Sequence, residues 1–441
     1  MQQYIDFFNS QRRKIDESCA PLLNSFREKA FDTFQGLGFP AYQSEDYQHT
    51  NLSALLKPDF GFYLNHPNAE INPHKVFPCN VPNLNSYKHF VVNGCYYREP
   101  MAQELPQGIF SGSLNEFAKQ YPAVFSEYYN WQVDEKGDGL AAFNTMFVQD
   151  GYVLYVPKNV VCEKAFQLTN ISGGKVDSLT NRRILVILES GAQAKLLVCD
   201  HTTDTQPLLA ATQVVEIYAE ENASFDFYEL EESSPNTIRL TTNFVQQADS
   251  SQVIIHNITL SNGITRNNYQ VDLEGEHAET HLYGMVIADA QQKVDNFTLI
   301  NHHVPNSLSN ELFKYVLDDE AMGTFGGRII VVEDAQKTQA CQNNHNLLGS
   351  NGCRMFSKPQ LEIYADDVKC SHGMTTGQLD ETALFYLCSR GISIQEAVLL
   401  LKFAFTNDVL QGIRLEGLRD RLKLLIEKRF RGELVKCQGC I

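Results

Sequence analysis

The 441-residue chain exceeds one ordinary core, and its formal net charge of −17 argues against nucleic acid or an anionic membrane surface as a partner, because both need basic surface. No apolar run reaches the roughly 18 residues that span a bilayer, and the first residues carry no signal pattern. The 11 cysteines are scattered without a dense framework, so we expect reduced thiols in a cytoplasmic protein.

The amino-terminal region, residues 1–75, is predicted to be helical. Apolar side chains recur at helical spacing through residues 11–34, with charged side chains on the opposite face. Glycines and a proline at 36–40 end this helix. Beyond it, residues 60–140 show no clear pattern.

Residues 76–373 are predicted to form a β-rich core. From about residue 150, β-branched strands alternate with small-residue turns that are 31, 28 and 27 positions apart. No stretch between them is helical enough for a βαβ crossover. Two architectures fit, an antiparallel sandwich and a solenoid of stacked strands. The repeat spacing favours the solenoid, whose ends the terminal helical regions could cap. The turn residues are Ala192, Ala223, Ser251 and Ala278.

Helical signals return in residues 374–441, which we expect to form a carboxy-terminal helical domain. Asp380 can cap a helix that Gly391 ends, and Ser393 with Glu396 forms a capping box for the next helix. A third helix follows. The second helix is expected to bury Ala397, Leu400, Leu401, Ala404 and Phe405, and the third Leu415, Leu418, Leu422 and Leu425.

The third helix and its flanks carry an excess of basic residues. Residues 414–436 contain eight Lys or Arg against four Asp or Glu, within an acidic chain. Two interpretations stay open. One is the solvated basic face of a small helical domain; the other is a docking surface for an acidic partner, because charge asymmetry steers encounter.

A thiol and an imidazole stand two residues apart where the β-rich core gives way to helices. In an extended segment, Cys370 and His372 point to the same face. A soft sulfur beside a borderline nitrogen suits iron, zinc or copper(I). Buried cysteines and hydrogen-bonded histidines are also common as ordinary structure. Spacing alone therefore leaves a metal-ligand pair and a structural pair both open.

Other candidate groups are weaker. Cys437 and Cys440 supply two of the four thiolates that a structural zinc needs, so a tail without a metal role is favoured over a weak metal or redox role. The sequence has no phosphate-binding P-loop, so any ATP hydrolysis should come from a partner. Two histidine pairs are interpreted as ordinary solvated or hydrogen-bonded side chains: His277 with His281, and His302 with His303.

A series of ordered blocks in the carboxy-terminal third resembles the SufB/SufD family of iron–sulfur cluster assembly proteins. Chance would rarely produce so many blocks in one order. Residues 38–40 and 45–50 are also similar to the family, although His49 stands where an aromatic or basic residue is usual. The middle of the chain resembles the family only in its general character and not in specific sequence blocks. The blocks are residues 326–331, 334–342, 346–348, 358–363, 365–373, 377–380 and 384–391.

The resemblance implies a right-handed parallel β-helix between helical termini. Gly373 stands where SufB proteins carry glutamate, so the match is to the SufD branch. It implies a SufBCD-type complex in which a SufB-like subunit pairs with this chain through the β-helices, while the carboxy-terminal helices hold a SufC-like ATPase. A homodimer is an option for the isolated chain.

The resemblance also implies a site. Cys370 and His372 match the family's interface cysteine and histidine. They are therefore candidate ligands of iron or of a transient, nascent iron–sulfur cluster at the interface with SufB. No cofactor is expected to be held tightly by this chain alone, which we interpret as a non-catalytic scaffold.

The main alternative is a carbohydrate-active β-helix enzyme, since that fold also hosts such enzymes. Asp366 and Asp367 are candidate acids, but adjacent residues on a strand face opposite sides, which suits paired acid/base chemistry badly. A zinc-stabilised structural protein that uses Cys437 and Cys440 lacks further ligands nearby. Co-purification discriminates: a scaffold brings an ATPase and a homologous β-helix protein, whereas an enzyme comes alone.

Overall fold

The structure, a computed structural model, describes residues 1–64, 71–77, 81, 83–98, 104–106, 108–203 and 206–433. The helix expected through residues 11–34 is interrupted, because Pro21 starts a new helix at its first position. Gly38 ends the third helix with φ +66°, a left-handed backbone that favours glycine. The first helices are α1 (Gln2–Glu17), α2 (Pro21–Asn24), α3 (Arg27–Leu37), α4 (Leu52–Leu55) and α5 (Pro73–Val76).

The segment without a clear sequence pattern contains both strands and helices. Every residue of its last helix, α9, is buried. A helix that is buried all round has no exposed polar face to mark an amphipathic period, so sequence periodicity could not reveal it. The elements are β1 (Ser86–Val92), β2 (Cys95–Tyr97), β3 (Phe110–Ser113), α6 (Leu114–Gln120), α7 (Pro122–Tyr128), α8 (Trp131–Lys136) and α9 (Gly139–Phe147).

Sixteen further strands wind into a solenoid. Successive strands alternate between a ten-stranded sheet that ends in β19 and a nine-stranded sheet that ends in β18. The strands are β4 (Tyr152–Val156), β5 (Ala165–Ser172), β6 (Ser178–Leu188), β7 (Gln193–Thr202), β8 (Leu209–Ala219), β9 (Ser224–Glu232), β10 (Thr237–Gln247), β11 (Gln252–Ser261), β12 (Ile264–Leu273), β13 (Glu279–Ala288), β14 (Lys293–His302), β15 (Leu308–Leu317), β16 (Met322–Val331), β17 (Gln339–Leu348), β18 (Arg354–Ile363) and β19 (Lys369–Gly377).

Strand pairing decides between the two predicted architectures. Each of these strands pairs in parallel with the strand one turn away, and only β1–β2 and β3–β4 are antiparallel pairs. The solenoid is therefore confirmed and the antiparallel sandwich was wrong. The last strand runs to Gly377, so the predicted boundary at residue 373 lies within β19.

The small turn residues mark the corners of successive turns. Ala192, Ala223, Ser251 and Ala278 are all buried, since the inside of each corner has room only for a small side chain. Each of them follows a residue with a left-handed backbone: Gly191, Asn222, Ser250 and His277. The repeat therefore has a steric origin.

The interior of the solenoid contains an extended apolar cluster and also a buried ionic cluster. Arg239 lies 2.5 Å from Asp200 and 3.0 Å from Glu229, and Arg182 lies 2.6 Å from Asp200. Buried charges of this kind are stable only together, because removal of one leaves another uncompensated.

The helices lie on the flanks of the solenoid. Phe8, Phe34 and Phe143 pack with Ile238 and Leu240 on the outer face of the nine-stranded sheet. On the ten-stranded sheet, helical residues such as Leu410, Leu422 and Ile426 cover Leu260 and Met285. The expectation that the carboxy-terminal helices cap the end of the solenoid was wrong: their apolar faces pack on a sheet face. These helices are α10 (Glu381–Ser389), α11 (Ile394–Gln411) and α12 (Glu416–Phe430).

The local signals for these helices are confirmed. The Asp380 side chain accepts hydrogen bonds from the backbone N–H groups of Thr382 and Ala383, and the Ser393 side chain accepts one from Glu396. The predicted buried face of α11 was wrong in part, because Leu400 is 41% exposed whereas Leu399 is buried. In the described part of the chain, no helix has both the length and the apolar character to cross a membrane.

Candidate functional site

In the part of the chain that the structure describes, no strand or helix covers the carboxy-terminal end of the solenoid, which we call the uncovered end. β18 and β19 are the last strands of their sheets, and each has a paired neighbour within its sheet on one side only among the described residues. Their other edges present backbone N–H and C=O groups that a further strand could pair with. Most side chains of β19 are exposed for the same reason.

Cys370 and His372 share one row at this end. In β17, Ala340 and Gln342 are buried and face the interior. The register pairs Ala340 with Cys370 and Gln342 with His372. Paired residues of parallel strands point to the same side of the sheet, so Cys370 and His372 continue the interior row. The geometry expected from their spacing is present, whereas their role as ligands stays a prediction.

The thiol of Cys370 is not activated by the chain itself. Partial burial raises the pKa of the Cys370 thiol above its ordinary value, and a hydrogen bond with the backbone of Ala340 lowers it less. At neutral pH the sulfur is therefore a thiol. A cation bound beside it would displace the proton, because metals bind the thiolate.

Among the described residues, Cys370 and His372 are the two candidate donors in this row. In the regions that the structure describes, no group of three or more Cys, His, Asp or Glu is arranged to hold a metal ion. A four-coordinate iron or zinc site needs further ligands. Sulfur and imidazole nitrogen fit iron, but a complete coordination sphere would take donors from another molecule.

The connector segment, residues 45–50, reaches the last turns of the solenoid. Glu45 pairs with Lys358 of β18, and His49 stacks on Phe356 with 4.1 Å between ring centroids. Beside them a cavity of about 410 Å³ extends to Met374 of β19. His49 thus has a packing partner at the uncovered end.

A second exposed surface lies on the carboxy-terminal helices. None of the nine residues of α10 is buried. We define the α10–α11 apolar surface as the exposed residues Phe385 (74% exposed), Tyr386 (56%), Ile394 (56%) and Leu400 (41%).

The basic excess of this region serves internal contacts in part. Arg414 lies 3.3 Å from Asp226, and Arg429 pairs with Asp289. Each of these ion pairs joins a helix, or the turn before it, to the solenoid. The basic residues therefore help to attach the domain, which weakens the interpretation as an acidic-partner surface.

The other predicted groups behave as ordinary structure where they are described. His302 is buried between Ser307 (2.7 Å) and Ser309 (2.9 Å), and His303 lies 3.0 Å from Asp272. His281 stacks on Tyr283, and His277 occupies a corner. Asp366 and Asp367 lie in the bend between β18 and β19. Cys437 and Cys440 lie outside the described residues.

Sequence reasoning missed two polar residues beneath His372. Gln342 Nε2 donates to Glu311 Oε2 at 2.5 Å, and both side chains are fully buried. Burial raises the pKa of Glu311 to about 7. The signal that could have found them is the inward alternation of β15 and β17, but it requires the strand register, which a single sequence does not give.

Two family models together match most of the chain. Residues 170–405 match the family model of the SUF system FeS cluster assembly SufBD core domain, and residues 1–168 match that of the SufBD protein N-terminal region.

Related proteins share the resemblance. A SufBD family protein from Synechocystis is 28% identical over 423 residues, which are 92% of this chain and 91% of that protein. The SufD protein of Escherichia coli is 30% identical over 59% of this chain and 62% of its own length. The SufD protein of Bacillus subtilis is 26% identical over 75% and 76%. The family predicted from the ordered sequence blocks is thus confirmed, and the chain belongs to the SufBD family of iron–sulfur cluster assembly proteins.

Proposed function

We propose that this chain is a non-catalytic subunit that pairs with a SufB-like chain through the uncovered end of its solenoid. Cys370 and His372 then contribute ligands to iron or a nascent iron–sulfur cluster at that interface. The observation that carries the proposal is their shared interior row on the last strand, at an open edge where a partner could extend the sheets and complete the ligand set.

The end of the solenoid has the chemistry of an interface. Phe356, Ile363, Tyr364 and Met374 are large apolar side chains that remain at least 39% exposed there. A partner strand added to β18 or β19 would satisfy open backbone groups and remove apolar surface from water. The same edges allow two copies of the isolated chain to pair.

Closure by a partner would also shield the ligands. A partner over the end would exclude water from His372 and supply the donors that this chain lacks. Iron and sulfide would then meet in a site from which water is excluded. The described cysteines are all free, which fits the reducing cytoplasm that we propose as the location.

The α10–α11 apolar surface is the proposed docking site of a SufC-like ATPase. It is apolar, exposed and carried on capped helices, as a helical docking element requires. ATP hydrolysis then belongs to the partner.

The ligand pair is tested with Cys370→Ser and His372→Ala in the anaerobically assembled complex. Serine keeps the shape but replaces a soft thiolate donor with a hydroxyl, and alanine removes the imidazole. We expect iron and acid-labile sulfide per complex to fall several-fold in each variant, with melting temperatures close to that of the unsubstituted complex.

The matched control is Cys341→Ser. Cys341 lies on the adjacent strand and accepts a hydrogen bond from Asn343 at 3.1 Å, but it belongs to the outward row. This control should keep its iron. If the pair were structural, both test variants would lose roughly 1–3 kcal/mol of stability and any iron loss would follow that change. Normal iron and sulfide in both test variants would reject the ligand role.

A further inference from the structure

A column of three side chains runs along the interior to the uncovered end. The register pairs Glu311 of β15 with Gln342 of β17, and Gln342 with His372 of β19. Neighbouring strands lie about 4.8 Å apart, so each side chain is within reach of the next. Glu311 and Gln342 are fully buried, and His372 is the exposed terminus.

The amide of Gln342 is held from below. Its Nε2 atom donates to Glu311 Oε2 at 2.5 Å. Across the interior it lies against Gly327, where a Cβ atom would stand 2.4 Å from Nε2. Because Gly327 has no side chain, it leaves the space that the Gln342 amide occupies. This arrangement fixes the orientation of the amide.

The other atom of the same amide has no partner. Gln342 Oε1 is buried and accepts no hydrogen bond from the described residues. An acceptor that is buried without a partner is destabilising in a folded protein. Because Nε2 points to Glu311, Oε1 is turned away from it, and the next side chain of the column on that side is His372.

We propose that Gln342 is a positioning residue for His372. Its carbonyl oxygen accepts the inward N–H of the imidazole, which fixes the tautomer and leaves the other ring nitrogen bare towards the partner subunit. Glu311 acts through Gln342 by holding the amide. A histidine ligand whose other nitrogen is bound in this way is oriented before the metal arrives. This inference rests on the proposed ligand role of His372.

The test uses the full chain with ¹⁵N-labelled histidine. Long-range ¹H–¹⁵N spectra report the tautomer of His372, whose signals are identified by their loss in His372→Gln. We expect one dominant tautomer in the unsubstituted chain. In Gln342→Leu, which keeps the volume and removes the acceptor, the ring should relax to the tautomer mixture of a free imidazole. The Fe²⁺ affinity of the assembled complex should fall about ten- to hundredfold.

The matched control is Asn346→Leu, which removes a buried amide from the same strand, beneath Thr376 instead of His372. It should leave the tautomer of His372 unchanged. If Gln342→Leu does not fold, Gln342→Asn keeps a buried amide on a stem too short to reach and should give the same result.

A tautomer mixture in the unsubstituted chain, or an unchanged tautomer in the Gln342 variant, would overturn the inference. Failure of the proposed function is recognised separately, by normal iron in the His372→Ala complex, because the tautomer is measured in the isolated chain.

Discussion

Glu311 is a buried carboxyl group that no ion pair among the described residues involves. Its pKa is raised to about 7 mainly by burial, from an ordinary value near 4.5. A group with a raised folded-state pKa adds stability below its unfolded pKa, and that stability is lost as the pH rises through the folded pKa. Ionisation of Glu311 should therefore make the folded chain progressively less stable as the pH rises from about 4.5 to 7.

Glu311→Gln removes this titration and keeps the shape. We expect the free energy of unfolding of the variant, relative to the unsubstituted chain, to rise by about 2 kcal/mol from pH 5 to pH 8, at about 1.4 kcal/mol per pKa unit. Thermal melts across that range measure it. Glu163→Gln, at an exposed position, serves as the control. A difference that is the same at every pH would contradict the assigned pKa.

The site residues differ in whether a single sequence is enough to predict their position. Cys370 and His372 could be predicted as a pair because strand alternation over two residues is local. Gln342 lies a full turn of the solenoid earlier, and its place beneath His372 depends on register and on the room left by Gly327. Neither can be derived from one sequence, so the sequence predicted that Cys370 and His372 share a face but did not predict Gln342 beneath His372.

At the scale of elements, the capping side chains correctly predicted where the carboxy-terminal helices begin. Asp380 and Ser393 cap their helices as their positions indicate. Apolar periodicity predicted the buried face of α11 less accurately, because this helix is apolar on more than one face. Packing against the solenoid selects Leu399, Val409 and Leu410, and leaves Leu400 exposed. The exposed remainder is the α10–α11 apolar surface.

Removal of the whole carboxy-terminal region is a poor test of ATPase docking. Leu410, Leu422 and Ile426 cover apolar residues on the outer face of the ten-stranded sheet. Truncation at residue 376 would expose that face, so loss of binding and loss of folding would occur together. Folding of the solenoid is therefore expected to depend on this region.

Phe385→Asp combined with Tyr386→Asp tests docking without that exposure. Both side chains are more than half exposed, so the melting temperature should change little. Charges on an apolar surface should reduce pull-down of a SufC-like ATPase at least tenfold, because carboxylates must lose their hydration in the interface. Val176→Asp, also at an exposed apolar residue, should bind normally. Undiminished pull-down by the double variant would exclude this surface.

At the scale of the whole molecule, the two ends of the solenoid differ. At the first end, antiparallel pairs join β1 to β2 and β3 to β4 and thereby end the parallel winding. At the other end, β18 and β19 stop with open edges among the described residues. Natural proteins usually protect such edges with charge, a short strand or a cover. An apolar open edge therefore supports the proposed pairing through this end.

Ile363→Lys combined with Met374→Lys tests pairing through this end. Ile363 is 40% exposed and Met374 is 48% exposed, so the isolated chain should tolerate lysine at both positions. In the complex the two ammonium groups would be buried at the interface between the two solenoids, which we call the seam. We expect the amount of co-purified SufB-like chain to fall at least tenfold, and any homodimer of the isolated chain to dissociate, as measured by analytical ultracentrifugation. Val161→Lys, exposed just before β5 and far from the seam along the solenoid, should pair normally. A variant that still brings down its partner in full would show that the solenoids pair elsewhere, and an unsubstituted chain that purifies alone would favour the enzyme alternative.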